Sequence, residues 1–169
     1  MNHHTLYILV TTLHVLAAIL WTGSLLFMSL LLVPALRSLK NPPLMAQLIQ
    51  TVGKRYRVAA WISLGILLVT GYVALSLRGI GHGLLLDAAF WSSPFGQTLG
   101  WKLILFATVV ALSLAHDLMS GSRLRVLRET NPAAAERQRR IASWMGRITL
   151  VVSLAIVFLA IMLVRGRPW

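Results

Sequence analysis

Four long apolar runs constrain the fold of this chain more than any other feature of its sequence. They cover about residues 5–36, 58–77, 94–118 and 141–164. Each has the roughly 20 apolar residues that an α-helix needs to cross the hydrocarbon core of a bilayer. Only 12% of the residues are charged, about half of the share in soluble domains. The sequence therefore predicts an all-α integral membrane protein, an antiparallel four-helix bundle that forms a single domain over 1–169.

Positive charge is concentrated on one side of this topology. The connection between spans one and two and the connection between spans three and four, with the start of span four, hold most of the 16 lysines and arginines. These cations are Arg37, Lys40, Lys54, Arg55, Arg57, Arg123, Arg125, Arg128, Arg137, Arg139, Arg140 and Arg147. By the positive-inside rule, both connections are cytoplasmic and both termini face outward. We therefore expect a multi-pass protein of the bacterial inner membrane. Its net charge of +12 comes mainly from these basic connections, which are expected to contact anionic lipid rather than nucleic acid.

Three short signals predict where helices begin. Asn41-Pro42, Ser93-Pro94 and Asn131-Pro132 each place a capping side chain directly before a proline. From the first we expect a separate interfacial helix over 43–53, and from the last a helix that runs without interruption into span four. Span one is expected to end near Pro34. No internal repeat is apparent in the sequence.

The first span carries a single ionisable residue, His14. Trp21 and Met28 follow it at steps of seven, so the three residues share one stripe of the helix. An ionisable side chain within a span marks a site by default. Lys102, about two turns into span three, and Tyr72, near the outer end of span two, are expected at a comparable depth. The alternatives are a core histidine hydrogen-bonded to a neighbouring helix and a lysine that extends its ammonium to the interface.

Two further histidines suggest metal chemistry. His116 lies near the cytoplasmic end of span three, at the depth of Met28, and imidazole with thioether suits both haem iron and Cu(I). His14 and His116 differ in depth by roughly 20 Å, so they are expected to form two sites rather than to ligate one iron. His3, with the terminal amine and two amide nitrogens, could form the square-planar arrangement that Cu(II) prefers. The alternative for Met28 is ordinary packing in the core.

The sequence resembles the CopD-like copper resistance membrane family and the related HemJ-type protoporphyrinogen oxidases. The segments that carry the resemblance are His14-x6-Trp21-x-Gly23 with Pro34, the run 57–72 with Gly65 and Gly71, Gly100-Trp101-Lys102-Leu103 continuing to His116, and Trp144–Arg165. The CopD resemblance implies copper handling in the inner membrane by outward-facing histidines and methionines. The HemJ resemblance implies haem-dependent oxidation of protoporphyrinogen IX, with functional roles for His14 and Lys102.

Three hypotheses follow from the sequence. The first is a CopD-like inner-membrane protein that binds copper or haem b, with His14, Lys102, His116 and Met28 as cofactor-binding candidates and His14 and His3 as metal ligands. The second is a HemJ-type oxidase. The third is a non-catalytic subunit of a larger membrane complex; for any of them a homo-oligomer is also compatible with the sequence. Membrane lipid and a metal ion or haem are the expected partners.

Overall fold

A computed structural model describes residues 2–38, 41–120 and 131–166. The long helices and the short turns between them are α1 (His3–Leu26), a π-helical segment (Phe27–Leu32), α2 (Val33–Ser38), α3 (Pro42–Leu77), α4 (His82–Leu86), α5 (Ala88–Ser92), α6 (Pro94–Ser120) and α7 (Pro132–Arg165). Within the described ranges there is no β-strand. Four helical stretches are long and apolar enough to cross a membrane: His3–Leu36, Pro43–Leu77, Pro94–Met119 and Glu136–Arg165. The all-α class and the four spans predicted from the sequence are confirmed.

The chain divides into two compact units. Hairpin A, within residues 1–90, packs α1 against α3, and hairpin B, within residues 91–169, packs α6 against α7. In hairpin A, Tyr7 contacts Arg78 and His14 contacts Thr70. Residue numbers therefore rise along α1 in the direction in which they fall along α3. In hairpin B the side-chain amide of Gln138 donates to the carbonyl of Met119 at the turn-side end. Each hairpin is therefore antiparallel.

The predicted helix starts are confirmed by their capping bonds. The side chains of Asn41 and Asn131 accept hydrogen bonds from the backbone N–H three residues later, at 3.2 and 3.1 Å. The Ser93 hydroxyl likewise accepts from the N–H of Gly96 at 3.0 Å. Each cap satisfies one of the N–H groups that a helix leaves without an internal partner at its start. The local sequence alone was sufficient to locate these three starts.

The prediction of a separate interfacial helix over 43–53 is wrong. α3 is one helix of 36 residues from Pro42 to Leu77, about 54 Å long. Because the hydrocarbon core is only about 30 Å thick, its first turns, with the cluster Lys54, Arg55 and Arg57, extend beyond the span. Pro42 and Pro43 occupy the first turn, where proline is tolerated, and Gly53 is a single glycine, which a helix interior also tolerates. α7, with 34 residues, extends its basic end in the same way, as predicted.

Span one ends at Leu36, at the predicted bound and just beyond Pro34. The helix passes through this residue and continues to Ser38, and the π-helical segment Phe27–Leu32 lies directly before it. A proline inside a helix has no N–H to donate, and its ring collides with the carbonyl four residues earlier. In the π-helical segment the bonds reach one residue further, as in the bond from the N–H of Val33 to the carbonyl of Met28. This wider turn accommodates Pro34 without ending the helix.

The two hairpins share a plan that the sequence inspection missed. In each, an apolar helix is followed by a longer, Asn-Pro-capped helix with a basic beginning. The segments Arg57–Leu68 and Arg147–Phe158 lie 90 residues apart and share arginine, serine, leucine and isoleucine at the same positions. The matched serines, Ser63 and Ser153, are both buried, at 1% and 0% exposure. The two hairpins therefore follow the same order of helices.

Candidate functional site

His14 is held on the face of α1 that meets α3. Its ring nitrogen Nδ1 lies 2.8 Å from the hydroxyl oxygen of Thr70, 56 residues away in sequence. The Thr70 hydroxyl donates its one proton to the carbonyl of Ile66 at 2.5 Å. Since a hydroxyl has a single proton, Thr70 must accept from His14, and Nδ1 carries the hydrogen. In the neutral ring the lone pair is then on Nε2, the nitrogen that could donate to a metal.

Gly71 permits this close approach. A Cβ atom built on Gly71 would lie 3.3 Å from Cε1 of His14 and 3.8 Å from Nδ1. The first distance is shorter than an ordinary van der Waals contact, so any side chain at this position would displace the imidazole. Gly65, one and a half turns away on the same helix, has no such neighbour. Of the two glycines with which the sequence marked this helix, only Gly71 receives the ring of a partner helix.

The three residues of the predicted stripe, His14, Trp21 and Met28, lie at different levels along the first span. His14 is half-buried and Trp21 is buried, at 3% exposure. Met28 is half-buried in the π-helical segment, 14 residues and about 21 Å along the helix from His14. The two residues therefore belong to different levels of the hairpin. Packing remains the simpler interpretation of Met28, and its role as a ligand stays a prediction.

The end of hairpin A beyond His14 carries two polar contacts that the sequence reasoning did not predict. The hydroxyl of Tyr72 lies 2.8 Å from Nε2 of His82 on α4, and the two rings are stacked with centroids 5.6 Å apart. Arg78 donates to the hydroxyl of Tyr7 through Nε at 2.8 Å and also through its Nη2 group. Tyr72 thus bonds to an imidazole at this end. The signal that could have found these pairs is the usual preference of tyrosine for the membrane interface.

The remaining candidates lie in other places. Lys102 is half-buried on α6 of hairpin B, and its approach to His14 stays a prediction. His116 has 41% of its side chain exposed, and its Nδ1 lies 3.8 Å from a carboxylate oxygen of Asp117. His3 is exposed in the first turn of α1, and the terminal amine that it needs for a Cu(II) site belongs to Met1, outside the described residues.

Among the residues that the structure describes, no three His, Asp or Glu side chains come together in a group that could hold a metal ion. The whole sequence contains no cysteine. A metal bound mainly by protein side chains would need several such donors.

Comparison with known proteins identifies one clear relative. A protein of Aquifex aeolicus (strain VF5), described as an uncharacterized protein, is 33% identical over 150 residues, which are 88% of this chain and 89% of the relative. This chain belongs to the same family. Because only about 20 residues lie outside the match and each span of this chain has at least 26, the match includes at least part of every span. No family model matches the sequence, and no solved structure matches it.

Proposed function

We propose that this protein is a CopD-like protein of the bacterial inner membrane that binds haem or copper through Nε2 of His14. The observation that supports the proposal is the hydrogen bond from Nδ1 of His14 to Thr70. A histidine that ligates a metal usually donates its other ring N–H to an oxygen acceptor, which fixes both the tautomer and the ring orientation. Thr70 is such an acceptor, and Gly71 leaves room for the ring at that position.

The donors around His14 favour haem b over copper. A haem supplies four nitrogen ligands of its own and needs only one or two axial ligands from the protein. Cu(I) needs several soft protein ligands, whereas the thioether of Met28 lies about two-thirds of a membrane thickness further along α1. Bound haem would supply one-electron redox chemistry. His14 would bind it, Thr70 would orient His14, and Arg78, about 12 Å from Thr70 along α3, would offer a cation to an anionic group.

The orientation follows from the charges. The basic connections and the basic starts of α3 and α7 face the cytoplasm, so both termini face outward and His14 lies in the outer half of the membrane. A cofactor at His14 would then be accessible to electron or metal donors on the outer side. In this proposal the lysines and arginines at the opposite end contact anionic headgroups.

Haem titration tests the proposal. The full chain in mild detergent should shift the Soret band of added haemin with one equivalent bound, and His14→Ala should abolish the shift. His82→Ala provides the matched control, because it removes an imidazole from the same hairpin without touching His14. A Cu(I) competition assay on the same three proteins tests the copper alternative. Equal binding of both ligands by His14→Ala and the wild-type protein would contradict the proposal.

Lys102 supports a second candidate, a HemJ-type protoporphyrinogen IX oxidase. A half-buried lysine within a span is a costly feature, and such residues usually have a function. This candidate predicts that the chain restores growth of a bacterial strain that lacks protoporphyrinogen oxidase. Substitution of His14 or Lys102 should abolish the rescue. Failure of the wild-type chain to rescue growth, with normal membrane insertion, would exclude the oxidase and leave only the binding function.

A non-catalytic role as a subunit of a larger membrane complex, or as a homo-oligomer, is the remaining candidate. It predicts co-purification of partner chains, or of a second copy, and normal function of His14→Ala. The three candidates are therefore separated by one substitution that is read out by haem binding, by rescue and by co-purification.

A further inference from the structure

Many Ser and Thr hydroxyls in the long helices donate a hydrogen bond to a backbone carbonyl of their own helix. Thr98, Thr108 and Thr149, for example, donate to the carbonyl four residues earlier at 2.8 to 2.9 Å. This is the usual solution in the hydrocarbon core of a membrane, where the lipid chains offer no hydrogen-bond acceptor. A hydroxyl within a span that does not make this bond requires another partner.

Three buried hydroxyls in the described helices do not follow this pattern. The oxygens of Thr11, Thr22 and Ser63 are inaccessible from outside and have no hydrogen-bond partner among the described residues. The side chains of Thr22 and Ser63 are more than nine-tenths buried, at 8% and 1% exposure. All three belong to hairpin A, the hairpin that contains His14.

Their positions place them along one seam between α1 and α3. Tyr7, Thr11 and His14 follow one another at helical spacing, so they share one face of α1. From the contact of His14 with Thr70, Thr22 lies about 12 Å along α1 and Ser63 about 10 Å back along α3, which brings both to the same level. The row from Thr11 to Thr22 is about 16 Å long, or about half of the hydrocarbon core.

Water is the partner that suits these groups. A buried water molecule typically makes about three hydrogen bonds to polar groups that lack other partners, and each hydroxyl can both donate and accept. We propose that the α1–α3 seam of hairpin A holds a chain of water molecules that runs from the Tyr7–Arg78 end past Thr11 and His14 to Thr22 and Ser63. This chain connects the buried hydroxyls of hairpin A with the aqueous phase at the amino-terminal end.

The chain of water requires neither haem nor copper, so it can be tested independently of the proposed function. The experiment is water-edited solid-state NMR on the full chain in lipid bilayers, with ¹³C-labelled threonine and serine. Magnetisation from water should reach Thr11 and Thr22 several-fold faster than it reaches Thr149, a buried threonine whose hydroxyl donates to the carbonyl of Met145. Equally slow transfer to all three threonines would overturn the proposal.

A substitution gives a second, thermodynamic measurement. Thr22→Val keeps the shape of the side chain and removes the hydroxyl. If water bonds to this hydroxyl, the variant should slow the transfer from water to Ser63 and should not raise the melting temperature. If the seam is dry, the variant removes an unpaired polar group, and the melting temperature should rise. A rise together with unchanged transfer to Ser63 would contradict the chain of water.

Discussion

Replacement of Thr70 by valine isolates the contact on which the site depends. The substitution preserves the branched shape of the side chain but removes the oxygen that accepts from Nδ1 of His14 at 2.8 Å. Interhelical hydrogen bonds in membrane proteins contribute about 0.6 kcal/mol on average and about 1.7 kcal/mol at most. A buried donor that loses its acceptor costs about 1–3 kcal/mol. We therefore expect the free energy of unfolding to fall by about 1–2 kcal/mol.

A double-mutant cycle measures this contribution directly. The four proteins are the wild type, Thr70→Val, His14→Phe and the double variant, unfolded reversibly in mixed detergent and SDS micelles and followed by tryptophan fluorescence. The expected coupling energy between the two positions is about 0.6–1.7 kcal/mol. Thr108→Val is the matched control, because the Thr108 hydroxyl donates to Ile104 of its own helix. It should show no coupling to His14→Phe.

The tautomer gives an independent readout of the same contact. In ¹⁵N NMR of histidine-labelled protein, the His14 signal should show a protonated Nδ1 in the neutral ring. In Thr70→Val the preference for this tautomer should decrease, since the acceptor that selects it has been removed. A coupling energy near zero, together with a protonated Nε2 in the wild-type protein, would refute the assignment of Nε2 as the ligand atom.

Three further changes test the remaining structural arguments. Gly71→Val should destabilise hairpin A by about 1–3 kcal/mol and weaken any ligand binding at His14, because the new side chain needs the space of the imidazole; a thermal melt unchanged from wild type would contradict this. Asn41→Ala and Asn131→Ala should each lower the unfolding free energy by about 1 kcal/mol in chemical denaturation, and equal stability to wild type would exclude a role for the caps. Pro34→Ala restores a backbone N–H, so backbone NMR shifts over 27–32 should move towards α-helical values. Unchanged shifts would show that the proline does not cause the π-helical segment.

The parts of the fold that depend on local sequence could be predicted, and the helix caps show why. Asn41, Ser93 and Asn131 each bond to a backbone group three residues away, so the chemistry of the signal lies within one helical turn. The spans follow from length and apolarity alone. The π-helical segment could not be predicted in this way, because Pro34 usually stops a helix and here this segment accommodates it.

The site could be predicted only in part, because its partners lie on another helix. His14 was recognisable as an ionisable residue within a span, but its acceptor, Thr70, is 56 residues away and depends on the register between α1 and α3. That register is set by packing over the whole hairpin, which residue patterns do not encode locally. For the same reason, the difference between Gly65 and Gly71 appears only when the opposite helix is in place.

The haem and copper content of the protein purified from bacterial membranes tests the central claim most directly. The wild-type chain and the His82→Ala variant should contain one cofactor per chain, with a Soret band for haem b or stoichiometric copper by metal analysis. The His14→Ala variant should contain neither, while inserting into the membrane in equal amount. A wild-type protein without haem or copper, or a His14→Ala variant that retains its cofactor in full, would contradict the claim that His14 is the ligand.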